Sequence, residues 1–98
     1  MKTLTICGSM RFTKEMQEIA WKLETVDGFN VLQCVYGDGE LDDKARRLLE
    51  QAHYRKIDLS DGIYVVDIDG YYGKSVRAEI EYARNHGKEV LFHSKFHI

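Results

Sequence analysis

The sequence predicts an α/β domain built on a parallel four-stranded sheet with helices on both faces. Short apolar runs alternate along the chain with stretches whose apolar residues recur at helical spacing. The order is βαβαβαβ, which implies parallel strands joined by right-handed crossovers. The strand-like runs are near-continuously apolar, as a sheet covered on both faces requires.

Thr3 to Cys7 is a short apolar run closed by Gly8, read as a buried strand and a tight turn. Phe12, Met16, Ile19, Ala20 and Leu23 predict an amphipathic helix over 13–25, closed at Asp27-Gly28. Val31 to Val35 is the second strand, and Gly37-Asp38-Gly39 the loop after it. Leu41, Ala45, Leu48, Leu49 and Ala52 predict the apolar face of a second helix over 41–57. Ile63 to Ile68 is the most β-like segment, followed by the glycine-bearing loop Asp69 to Gly73. Val76, Ile80 and Ala83 predict a third helix over 75–86, ended by Gly87. Val90 to His93 is the fourth strand.

The 98 residues form one domain, 1–98. With 14 basic and 16 acidic residues the formal charge is −2, without the basic excess of a binder of nucleic-acid polymers or anionic membranes. No apolar stretch approaches the roughly 20 residues of a membrane span. Met1 leads straight into a strand-like run, so the cytoplasm is the expected compartment. Cys7 and Cys34 end apolar runs, where cysteine usually serves as a small buried hydrophobe. There is no CxxC, and His53, His86, His93 and His97 lack metal-ligand spacing, so neither a metal nor an organic cofactor is expected.

In parallel sheets ligands bind beyond the strand carboxyl ends, which selects the loops Gly8–Phe12, Tyr36–Glu40 and Asp67–Ser75. In the first loop Gly8 permits a sharp turn and close backbone approach. Ser9 offers a hydroxyl and Arg11 a planar fork suited to phosphate. Neither GxGxxG nor GxxxxGK[ST] is present, so a dinucleotide or Walker site is not supported. In the third loop Gly70, Tyr71 and Gly73 precede a helix on which Ser75 and Glu79 share one face. A carboxylate there can act as a nucleophile or stabilise an oxocarbenium-like centre. Asp67 and Asp69 straddle the end of the third strand, where either could protonate a leaving group or hold a hydroxyl. Each also has a plainer reading: a solvated Arg11, a helical Glu79 paired with a basic neighbour, and Asp-Gly as turn chemistry.

Three segments together resemble the nucleoside 2-deoxyribosyltransferase-like superfamily, including its short deoxynucleotide N-glycosidases. They are Cys7-Gly8-Ser9-Met10-Arg11, Ser60 to Asp67, and Gly70 to Ala83 with its Glu79-Ile80-Glu81-Tyr82-Ala83 step. The resemblance implies a flavodoxin-like (Rossmann-like) fold and cleavage of the bond between a base and a deoxyribose. It implies Glu79 as nucleophile, Asp67 or Asp69 acting on the base, and the turn of Gly8, Ser9 and Arg11 lining the nucleotide site; Gly70, Tyr71, Gly73 and Ser75 are the candidate ligand contacts that the third loop itself offers. The transferases carry Asp-x-Gly-Thr before the catalytic helix, whereas this chain has Gly73-Lys74-Ser75-Val76. Relatives complete their sites across a subunit boundary, so a homodimer or higher homo-oligomer is expected. The expected ligand is a small nucleoside or nucleotide, and the function that of an N-glycosidase or deoxyribosyltransferase. The alternative is a non-catalytic nucleotide-binding module. A flavin-binding flavodoxin fits less well, because the first loop lacks a run of hydroxyls to wrap a phosphate.

Overall fold

The computed structural model describes residues 1–37 and 39–96. Asp38, in the glycine-flanked loop, and His97 lie outside the described residues. Four strands, β1 (Thr3–Gly8), β2 (Asn30–Leu32), β3 (Gly62–Val66) and β4 (Glu89–Phe92), pair in parallel in the order β2-β1-β3-β4. Four helices accompany them: α1 (Thr13–Thr25), α2 (Asp43–Asp58), α3 (Lys74–Asn85) and the single turn α4 (His93–Phe96). This is the α/β, flavodoxin-like arrangement, with the order reversing between β1 and β3. No helix among the described residues is long and apolar enough to cross a membrane.

Alternation along the strands divides the core in two. Leu4 and Ile6 of β1, with Tyr64 and Val66 of β3, face one way and pack against Met16, Ala20 and Leu23 of α1. Cys7, Ile63 and Val65 face the other way, against Ile57 of α2 and Val76, Ile80 and Ala83 of α3. The amino-terminal edge of the sheet is closed by polar ties. Thr5 Oγ1 donates to Ser60 Oγ at 2.5 Å, and Ser60 Oγ in turn donates to the Lys56 carbonyl at 2.7 Å. The Thr3 amide donates to Asp61 Oδ2 at 2.8 Å. Lys88 Nζ reaches the carbonyls of Asp58 and Ser60 at 3.0 and 2.8 Å.

The first and third helices have the expected apolar faces, and α1 has the expected bounds. The second helix differs. Leu41, Leu48 and Leu49 are exposed, and Ile57 is the buried residue of α2. Only the carboxyl-terminal end of α2 packs on the sheet; farther forward it stands beside the strand ends, where there is no sheet for leucines to cover. β2 stops at Leu32 rather than Val35, because the chain peels away from β1 and leaves Val35 exposed. β3 stops at Val66, and Ile68 enters a 3-10 turn over Ile68–Gly70. His93, expected to end the last strand, instead starts α4 and bonds to Tyr64 Oη through Nδ1 at 2.7 Å.

Gly62 marks the closest approach of β3 and β4. A Cβ there would meet the Glu89 carbonyl oxygen at 2.6 Å and the Glu89 Cβ at 2.9 Å. Gly62→Ala is therefore expected to destabilise the fold by about 1–3 kcal/mol, the usual cost of overpacking. The check is a lower denaturant midpoint at unchanged slope. Gly37→Ala, where a Cβ meets nothing within 4 Å, serves as the control.

Candidate functional site

Beyond the carboxyl ends of β1 and β3 lies a crevice of ≈ 440 Å³. Gly8, Ser9 and Met10 form one side, following β1. Gly73 to Val76 and Glu79 form another, at the start of α3. The third wall is α2, which contributes Arg46, Leu49, Glu50, His53 and Lys56. These five residues fall at helical spacing on one face, so a single stripe of α2 looks into the crevice.

The backbone on two sides suits a ligand with negative charge. Gly73 caps α3 without a side chain, so the first amides of that helix have no side-chain partner at their cap. Exposed amides at a helix start favour an anion. Lys74, Arg46 and Lys56 add positive charge around the same space. Ser9 caps the short turn Met10–Phe12, its Oγ accepting from the Arg11 amide at 3.3 Å, and its O–H is a donor at the crevice.

Glu79 is the most enclosed acidic group of the crevice. It sits in the second turn of α3, beyond the reach of the leading amides. A side chain holds it instead. His53 Nε2 lies 3.2 Å from Glu79 Oε1, with only 14% and 12% of the two side chains exposed. The Cys7 thiol donates to the Thr5 carbonyl at 3.8 Å, and its sulfur lies 3.4 Å from the same imidazole nitrogen. Burial, then the charge of Glu79, pushes the Cys7 thiol well above its ordinary range. The same two causes push Cys34 up to about 11. Both cysteines are therefore neutral thiols at neutral pH rather than nucleophiles.

Of the site residues expected from sequence, the fold brings Gly8, Ser9, Gly73, Ser75 and Glu79 to the crevice. Arg11, Tyr71, Gly70, Asp67 and Asp69 do not line it. The Arg11 guanidinium stacks on the Tyr71 ring, 4.2 Å from its centroid. Asp69 and Gly70 have positive φ, 54° and 76°, and shape the turn after β3. Asp67 is buried, and both of its oxygens are occupied: the Ser94 amide donates to Oδ1 at 2.8 Å and the Ser94 hydroxyl to Oδ2 at 2.6 Å. Sequence reasoning missed Arg46, Glu50, His53 and Lys56. Their common spacing on α2 was the available signal, overshadowed by the leucine stripe beside it.

Asp67 thus ties the end of β3 to α4. Asp67→Ala leaves the two donors of Ser94 without their acceptor and is expected to cost about 1–3 kcal/mol of stability. Asp67→Asn, which keeps one acceptor oxygen, should cost less in the same denaturation measurement. Unchanged stability in both variants would return Asp67 to the list of groups available for chemistry. Compared with family models, with curated proteins and with solved structures, the chain has no match, so its function is argued from the crevice itself.

Proposed function

We propose that the chain acts on the N-glycosidic bond of a nucleoside or nucleoside monophosphate, as a hydrolase or a deoxyribosyltransferase, with Glu79 as the nucleophile. The observation that carries this reading is the enclosed Glu79 carboxylate, held by His53 in a sugar-sized crevice at the strand ends. The sequence resemblance to the nucleoside 2-deoxyribosyltransferase-like superfamily supports it independently.

In this mechanism a carboxylate oxygen of Glu79 attacks the anomeric carbon. The C–N bond breaks and its electron pair leaves with the base, which takes up a proton. Water, or a second base, then attacks the same carbon and restores the carboxylate. Asp67 is engaged with Ser94, so the proton donor is better sought in Glu50, the other carboxylate lining the crevice. Lys74, Arg46, Lys56 and the α3 amides suit a 5′-phosphate. The chain would work as a homodimer or higher homo-oligomer in the cytoplasm. The exposed leucines of α2 support the association. The absence of Asp67 and Asp69 from the crevice favours a second reading, a non-catalytic nucleotide-binding module.

The test is release of free base from a panel of deoxynucleosides and their monophosphates, followed by chromatography. Glu79→Gln keeps the shape and removes the charge. Turnover should fall at least ~10³-fold, about 4 kcal/mol of barrier, while ligand binding persists. Glu81→Gln, exposed on another face of α3, should be silent. Binding without release by the unaltered protein would favour the module. Unchanged release by Glu79→Gln would remove the nucleophile assignment.

A further inference from the structure

The structure assigns a divalent-cation site to Cys7, His53 and Glu79, at the inner wall of the crevice. The three residues come from β1, α2 and α3, and their donor atoms all lie within 4.8 Å of one another. Cys7 Sγ is 3.4 Å from His53 Nε2, and Nε2 is 3.2 Å from Glu79 Oε1. Bonds of about 2.3 Å to sulfur and about 2.0–2.1 Å to nitrogen and oxygen, at tetrahedral angles, put neighbouring donors about 3.3–3.6 Å apart. The two separations, 3.4 and 3.2 Å, lie within about 0.1–0.2 Å of that spacing.

One imidazole nitrogen faces both a thiol and a carboxylate. A single N–H or a single lone pair cannot serve both in full. A cation at the centre of the three satisfies all of them at once. The environment suits this, with Cys7 fully buried and the other two side chains nearly so. A thiolate, an imidazole and a carboxylate together select a borderline-soft ion of the Zn²⁺ class over Mg²⁺ or Ca²⁺, which prefer oxygen alone. When the ion binds, the metal–sulfur bond forms as the thiol proton leaves to solvent. Three protein ligands leave a fourth position, and it opens to the crevice, because His53 and Glu79 both line that space.

The site needs only the positions of these side chains, so it stands apart from the glycosidic reading. Where that reading holds, the two are linked: an ion on the Glu79 carboxylate takes up the oxygen required for attack. Zn²⁺ is then an inhibitor, and a chelator restores turnover.

The experiment is a Co²⁺ titration of the chelator-treated, purified chain, read by absorption. The expected result is one Co²⁺ per chain, with a thiolate-to-cobalt charge-transfer band and intense visible bands of tetrahedral coordination, all bleached by Zn²⁺. Cys34→Ser should keep the charge-transfer band and Cys7→Ser should lose it. Because Cys7→Ser alters a core position, His53→Gln on the half-buried face of α2 is the second variant. It should weaken Zn²⁺ binding at least about 100-fold, the upper end of what even an outer-shell partner contributes, with an unchanged far-ultraviolet circular dichroism spectrum. No band, a band that survives Cys7→Ser, or unaltered affinity in His53→Gln would overturn the assignment. Cobalt binding, with no base release from the chelator-treated, metal-free chain, would keep the site and sink the glycosidic reading. Base release without cobalt binding would do the reverse.

Discussion

β1 and β3 are hydrogen-bonded neighbours, yet the chain leaves their carboxyl ends toward opposite faces of the sheet. After β1 it turns through Gly8 and Ser9 into α1; after β3 it runs through Gly73 into α3. Right-handed crossovers to both sides of a central pair make this divergence unavoidable. Two backbone segments that part company cannot fill the space between them. The crevice is that space. At the opposite end of the sheet Ser60, Asp61 and Lys88 tie the backbone together.

The same constraint explains why Glu79 is enclosed without being in the core. Val76, Ile80 and Ala83 turn one stripe of α3 onto the sheet. Glu79 lies next to that stripe, at the end of the helix nearest the crevice. A carboxylate so enclosed loses water and has to regain hydrogen bonds from protein donors. His53 supplies one from α2. Cys7 approaches the same imidazole from the β1 floor, because strand alternation points it to the α2–α3 side, opposite to Ile6. The His53 contact does not involve the helix amides that a reading of α3 alone would invoke.

What could be read from the sequence follows from how local each cause is. Met16, Ala20 and Leu23, and likewise Val76, Ile80 and Ala83, repeat at helical spacing and pack on the sheet, so periodicity located α1 and α3. The leucines of α2 have the same spacing without a sheet beneath them, so periodicity misassigned their face. Gly8, Ser9, Gly73, Ser75 and Glu79 follow from strand order alone, since the topology places both loops at one edge. His53 does not, because its meeting with Glu79 depends on how α2 lies across the crevice. Asp67 was read as a site residue from its place after β3. Its partner Ser94 stands 27 residues away, on a helical turn of which the sequence placed only His93, as the end of the last strand.

Arg11 shows how one local contact redirects a charge. Its guanidinium stacks on Tyr71, and Tyr71 in turn meets the Phe12 ring edge-on at 6.2 Å. These contacts clamp the loop after β1 to the loop after β3 from outside the crevice. The cation–π contact contributes about 0.5–1 kcal/mol at an exposed site, enough to bias a flexible side chain away from a weak anion site. The positive charge left facing the crevice comes from Arg46, Lys56 and Lys74, on the wall opposite the β1 loop. Under the proposed function, a ligand's anionic group would be drawn toward the α2–α3 side, with the rest of it along Gly8 and Ser9. That orientation would bring the centre of a nucleotide toward Glu79, which lines the crevice between the start of α3 and the α2 wall.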